Sequence, residues 1–227
     1  MIVLAALGDG LGDALAQIAT ALRVPVLIAA VAVLIACAFE LGRYGSELWR
    51  RRVRCRGVDL TSLVAEAVAD PANAARYAYL APSGFAEAAL MAIVAALGSG
   101  QPAEIEHALA DYELAAQRRL DRTRVLVRAG PAIGLMGTLI PLAPGLAALG
   151  DGDVAKLADD LRDAFAATVI GLLVGTVAFA LTLSRTRMYT EDLAALERAV
   201  GLLAREGQSR AHAHQVVSVA QPSRPAV

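Results

Sequence analysis

Two apolar stretches decide the fold: GPAIGLMGTLIPLAPGLAAL, Gly130–Leu149, and AFAATVIGLLVGTVAFALTLS, Ala164–Ser184, joined by the acidic connection Asp151–Asp163. Neither carries a charge, and each comes close to the roughly 20 apolar residues that a helix needs to cross a bilayer's hydrocarbon core. Both are studded with Gly and Thr, a composition suited to helices packed against each other in lipid. They read as a transmembrane hairpin. A third candidate, Val24–Leu41, holds 16 uncharged residues from Val24 to Phe39 before Glu40. The fold class is therefore all-α: an integral membrane protein with three transmembrane helices and long cytoplasmic helical extensions.

Composition agrees. With 57% hydrophobic and 19% charged residues and a net charge of -1, the 227-residue chain suits a small membrane protein with a modest soluble portion better than a secreted or nucleic-acid-binding one. The arginines cluster at span borders. Arg43, Arg50, Arg51, Arg52, Arg54 and Arg56 follow the first span; Arg118, Arg119, Arg122, Arg124 and Arg128 precede the second; Arg185 and Arg187 follow the third. The positive-inside rule puts these borders in the cytoplasm, and Asp151, Asp153, Asp159 and Asp160 on the far side. The amino terminus is then outside and the carboxyl terminus cytoplasmic. This placement accounts for the arginines without nucleic acid.

The expected order along the chain is an outer-side interfacial amphipathic segment at 1–23, transmembrane helix 1 at 24–41 and a cytoplasmic helical region at 42–127. Transmembrane helix 2 at 128–149 and a short outer loop and helix start at 150–163 come next. Transmembrane helix 3 at 164–184, a cytoplasmic helix at 185–206 and a disordered tail at 207–227 complete it. The first segment contains Asp9 and Asp13 and no basic residue before Arg23, unlike a cleaved signal peptide, and its helix is expected to end before Pro25. Leu60–Ala69 has helical periodicity and stops before Pro71. Phe85–Leu97, an apolar run of 13 residues, is too short to span and reads as a buried cytoplasmic helix. Pro102 is placed to open a long helix that runs into the second span, and the third span is expected to continue as a helix with Leu193, Leu196, Val200 and Leu203 on an inner stripe.

Within the spans, Gly130, Gly134 and Gly137 lie on nearly one side of the second helix, and Gly171 and Gly175 are four apart on the third, spacings that let helix backbones approach closely. Pro141 and Pro144 each remove a backbone donor and are expected to kink the outer half of the second span. Thr138 and Thr168 are the polar residues nearest the middle of their helices. Their hydroxyls either cap their own helix backbone or face a common pore or cleft. Asp163, at the outer end of the third helix, complements the helix's positive end or anchors it at the interface. The hairpin contains no deeply buried Asp, Glu, Lys or His, so a proton crossing here would titrate a group from another chain. Cys37 and Cys55 lack a CxxC or His-rich grouping, and His212 and His214 stand without other ligands; no metal site, catalytic constellation or cofactor is expected.

The runs Gly134-Leu135-Met136-Gly137-Thr138 and Asp163-Ala164-Phe165-Ala166-Ala167-Thr168-Val169-Ile170-Gly171-Leu172, taken with the three-span layout, resemble the MotA/TolQ/ExbB proton channel family. Its members carry a Gly-Leu-Leu-Gly-Thr type motif in the second span, and in the third an acidic residue five positions before the Thr of an Ala-Thr-x-x-Gly-Leu run. The resemblance implies a homopentamer whose second and third helices line a pore in the cytoplasmic (inner) membrane. A dimer of single-span subunits similar to ExbD, TolR or MotB would stand within it, and a membrane Asp of that partner would take up and release the ion. Thr138 and Thr168 would line the path, Asp163 would stand near its outer part, and Gly137 and Gly171 would allow close helix approach. The implied function is a stator or motor subunit that couples ion flow, protons rather than sodium, to mechanical work or transport energisation. Leu173-Val174-Gly175-Thr176 replaces the Ala-Ile-Pro type turn of TolQ and ExbB relatives, the mark of a divergent branch. The competing functions are a non-conducting oligomeric membrane scaffold and, less in keeping with three spans and no internal repeat, a secondary transporter.

Overall fold

A computed structural model describes residues 2–54 and 59–220, apart from the side chains of 2–16, 19, 20, 54, 102 and 210–220. Helix α1 spans Ile2–Arg54, α2 Leu60–Ala69, α3 Ala74–Tyr79, α4 Gly84–Ser99, α5 Pro102–Gly150 and α6 Val154–Ala220; a single 3-10 turn, Pro71–Asn73, separates α2 from α3. The described residues contain no strand. Three of these helices are long and apolar enough to cross a membrane, over Ala21–Val53, Ala103–Gly150 and Val154–Ser209, whereas α2 and α4 are too short. The chain is an all-α, multi-pass membrane protein.

Helix ends follow local chemistry. Ser83 caps α4 by accepting from the Ala86 N–H at 3.2 Å, and Gly100, at φ +68, closes it by donating to the Ala96 carbonyl. Pro102 then opens α5, where its missing donor costs nothing. Between α5 and α6 the chain reverses at Gly152, φ +82, and the Asp153 carboxylate accepts from the Lys156 N–H at 3.0 Å, capping α6.

Two expectations about helix ends are corrected. Helix α1 does not stop before Pro25 but carries it inside. One proline deletes one backbone bond, whereas ending a helix at an apolar border would strand several, so continuation is the cheaper solution. The amphipathic character expected of residues 1–23 falls largely on side chains outside those described. Helix α6 likewise runs past residue 207 to Ala220. The breakers of that tail, Pro222 and Pro225, lie beyond this point, among residues 221–227, which are outside the described ones.

The chain divides into two compact units, Met1–Gly45 with Arg119–Arg185, and Ser46–Arg118 with Thr186–Val227. In the first, α1, α5 and α6 pack through small and branched residues, with Cys37, Leu126, Val174 and Ala178 at the centre. In the second, α2, α3 and α4 form a helical cluster whose core includes Leu63, Val64, Leu90 and Ile93 with Tyr112, Tyr189 and Leu196. Of the stripe expected on α6, Leu196 is buried and Leu193, Val200 and Leu203 are half-buried.

A polar network lies inside the second unit. Arg51 grips the Asp192 carboxylate through both terminal nitrogens, at 3.1 and 2.5 Å. The Tyr112 hydroxyl is shared between Asp192 Oδ2 at 3.3 Å and the Tyr189 carbonyl at 3.4 Å, and Tyr189 donates to Glu47 Oε2 at 3.1 Å. The Phe85 ring packs edge-on against Tyr189 and tilted against Tyr112. Burial, then the neighbouring Asp192 carboxylate, pushes the Tyr112 phenol well above its ordinary value, so it stays a neutral donor.

Candidate functional site

The first unit is organised around a backbone-to-backbone contact between α5 and α6. A Cβ placed on Gly171 would meet the Gly130 carbonyl oxygen at 2.6 Å and the Gly134 Cα at 2.7 Å. One placed on Gly130 would meet the Gly171 carbonyl oxygen at 2.7 Å, and one on Gly134 the Gly171 Cα at 3.2 Å. Gly175 faces the ring of Pro131, 2.9 Å from such a Cβ, and Gly137 faces the Cβ of Ala167 at 2.5 Å. Larger side chains at these positions would push the helices apart. In lipid, where apolar surface gains nothing from being buried, such close van der Waals contact is a principal attraction between helices.

Thr168 belongs to this contact, its Cα lying 3.5 Å from a Cβ placed on Gly134. Its half-buried hydroxyl donates to the Ala164 carbonyl at 3.4 Å, and the Thr138 hydroxyl to the Leu135 carbonyl at 2.7 Å. Of the two roles open to them, the hydroxyl protons take the first, bonding within their own helices. Donation uses the one proton and leaves both oxygens with acceptor capacity for a donor arriving from another chain. Pro141 is buried and Pro144 half-buried, and α5 continues through both.

Asp163 is placed differently from expectation. Because α6 begins at Val154 with Asp153 as its cap, Asp163 stands more than two turns inside the helix and does not neutralise its positive end. Its side chain, 55% exposed, instead lies 3.5 Å from Arg23 Nη2 on α1. That nitrogen also donates to Asp160 Oδ1 at 2.9 Å, and the Asp160 side chain is only 6% exposed.

A second ion pair ties α1 to α6. Arg185, with no exposed side-chain surface, donates from Nη1 to Glu40 Oε2 at 2.7 Å and from Nη2 to the Glu40 carbonyl at 3.4 Å. The Tyr44 ring lies 5.9 Å from its guanidinium carbon, and the Tyr44 and Ser184 hydroxyls share a hydrogen bond. Sequence reasoning saw Glu40 and Arg185 as span borders and did not pair them. The available signal was an acid at one helix end and a base at another, both flanking runs too apolar to leave either charge unmatched.

Between these two pairs, over Gly130–Leu149 and Ala164–Ser184, there is no titratable carboxylate, amine or imidazole. No group of three or more His, Cys, Asp or Glu able to hold a metal occurs among the described residues, and His212 and His214 lie outside the described side chains.

Residues 84–197, half of the chain, match the MotA/TolQ/ExbB proton channel family; no curated protein and no solved structure matches. The matched stretch takes in α4, α5 and α6 as far as the polar network around Asp192, and with them every glycine of the α5–α6 contact. On that match, the chain belongs to the MotA/TolQ/ExbB proton channel family.

Proposed function

We propose that this chain is the pore-lining stator or motor subunit of a proton-driven membrane complex. One observation carries the reading: the glycine-paired hairpin inside the family match has hydroxyls but no titratable side chain in its apolar segments. A path lined by such helices can position a moving ion but needs its proton-binding group from elsewhere. The single-span partner typical of the family, with an intramembrane Asp, would supply it. Five copies of α5 and α6 would surround a dimer of that partner, with the free lone pairs of Thr138 and Thr168 placed to accept from its Asp in the protonated form, and Asp163 near the outer mouth. Pro141 and Pro144 would bend the outer half of α5 around the path. The arginine borders support an outside amino terminus, a cytoplasmic carboxyl terminus and spans over 24–41, 128–149 and 164–184 in the inner membrane. Residues 42–127 and 185–206 would form the cytoplasmic portion, and nothing in this arrangement calls for an enzyme site.

Reconstitution with the single-span partner in liposomes tests the reading. Proton flux driven by a pH gradient is expected from the assembled complex, abolished when the partner's membrane Asp is removed and reduced by Thr168→Val. A second reading, a non-conducting scaffold, is favoured by the self-satisfied hydroxyls of Thr138 and Thr168. It would keep the oligomer and show no flux, with Thr168→Val indistinguishable from wild type.

A further inference from the structure

Arg23 stands one residue before the first apolar run and serves two carboxylates of α6 that lie one turn apart on the same face. A single nitrogen, Nη2, makes both contacts, at 2.9 Å to Asp160 Oδ1 and 3.5 Å to Asp163 Oδ2. The two acids differ sharply. Asp160 is all but excluded from solvent; its Oδ2 meets no hydrogen-bond partner among the described residues, and its Cβ sits 3.4 Å from a Cβ placed on Gly145 of α5. An ionised carboxylate that deep requires a cation. Asp163 is more than half exposed, and its contact is longer and weaker.

We infer that Arg23 is a positioning residue for Asp163, anchored by the buried Asp160. The inference rests on the reading of Asp163 as an outer ion-path residue. Asp160 immobilises the guanidinium at short range, and the fixed guanidinium then restrains the Asp163 side chain without sealing it. Arginine remains charged at all working pH and cannot itself pass a proton on, so its part is electrostatic and geometric. One guanidinium against two carboxylates leaves the group with a net negative charge, which favours the approach of a cation. The looser bond to Asp163 is the one such a cation, or a donor on the partner chain, would compete for.

The test uses the full chain assembled with its single-span partner and two readouts. The first, independent of conduction, is a double-mutant cycle on the unfolding midpoint in detergent for Arg23→Gln against Asp163→Asn and against Asp160→Asn. Non-additivity is expected in both cycles, the larger with Asp160. The second is ion flux in liposomes. Arg23→Gln is expected to lower flux about tenfold, the factor that corresponds to roughly 1.4 kcal/mol, and to have no further effect when Asp163 is already Asn. Arg23→Lys, which keeps a cation on a single nitrogen, is expected to restore most of the flux, a rescue that a loss of packing would not show. Additive midpoints for Arg23 and Asp163 would overturn the positioning role whatever the flux. So would an undiminished loss from Arg23→Gln in the Asp163→Asn background. Coupled midpoints with wild-type flux in Asp163→Asn would instead remove Asp163 from the path, so that the reading of that residue fails while the contact stands.

Discussion

The buried pair of Glu40 and Arg185 gives the sharpest test of how α1 is held to α6. Arg185 has no exposed side-chain surface and Glu40 has 7%, so solvent screens their attraction little. At 2.7 Å and an effective dielectric of about 20, the Coulomb term is about 6 kcal/mol, of the same order as the several kcal/mol that each ion loses on leaving water. The pair as a whole therefore contributes little net stability, while either member alone is costly. Arg185→Met strands Glu40 in an apolar contact and is expected to destabilise by about 3–5 kcal/mol. Glu40→Gln leaves the guanidinium with a neutral acceptor and should cost somewhat less. The double change Glu40→Met with Arg185→Met should come back to within about 1 kcal/mol of wild type, because it removes both desolvation penalties. Titration with a denaturing detergent in mixed micelles, followed by far-UV ellipticity, reads all four proteins. An Arg185→Met cost below about 1 kcal/mol, or a double variant as unstable as the two single changes added together, would refute the argument.

Three further outcomes follow from the geometry. Gly171→Leu sets a side chain where even a Cβ meets backbone at 2.6 and 2.7 Å; it should separate α5 from α6, cost at least about 1–3 kcal/mol and abolish assembly on native electrophoresis, whereas Gly42→Ala, with nothing within 4 Å, should be neutral or gain up to about 1 kcal/mol. Thr168→Val exchanges a hydroxyl for a methyl of similar size and loses only a 3.4 Å hydrogen bond, so stability should change by less than about 1 kcal/mol while liposome flux falls severalfold; equal flux would take the hydroxyl out of the path. The Tyr112 phenol titrates at a higher pH folded than unfolded, so its contribution is fully present below the unfolded value near 10 and declines above it by about 1.4 kcal/mol per pH unit. Thermal midpoints of wild type and Tyr112→Phe should therefore converge as pH rises from 9 to 11, and parallel curves would contradict the assignment.

Features that depend on neighbours within a few residues were legible in the sequence. The span of α2, Leu60–Ala69, follows from periodicity and a proline just beyond it, and the start of α5 from Pro102. The glycines at 130, 134, 171 and 175 sit at spacings that mean close approach only if the two helices face each other, and they do. Where local rules competed with length, they lost. Pro25 did not end α1, and Asp163 did not take the role of capping α6 because Asp153, ten residues earlier, already had it.

What stayed illegible is the rotation of each long helix about its axis. Periodicity reveals a helix's buried face when one face is apolar and the other polar, but a span in lipid is apolar all round and carries no such contrast. Charges at its ends can be assigned to a side of the membrane by the positive-inside rule, yet that rule is blind to which neighbour they meet. Arg23, Asp160, Glu40 and Arg185 are all such border charges. Their pairing joins residues 137 and 145 positions apart, a separation that no local pattern relates. The glycine contact, readable from spacing, orients α6 against α5; the two ion pairs, readable only once α6 has been oriented, then set α1. The same order applies to function: a residue proposed for the path, such as Thr168, is found from its motif, whereas a residue that positions another, as proposed for Arg23, emerges only when the third helix is in place.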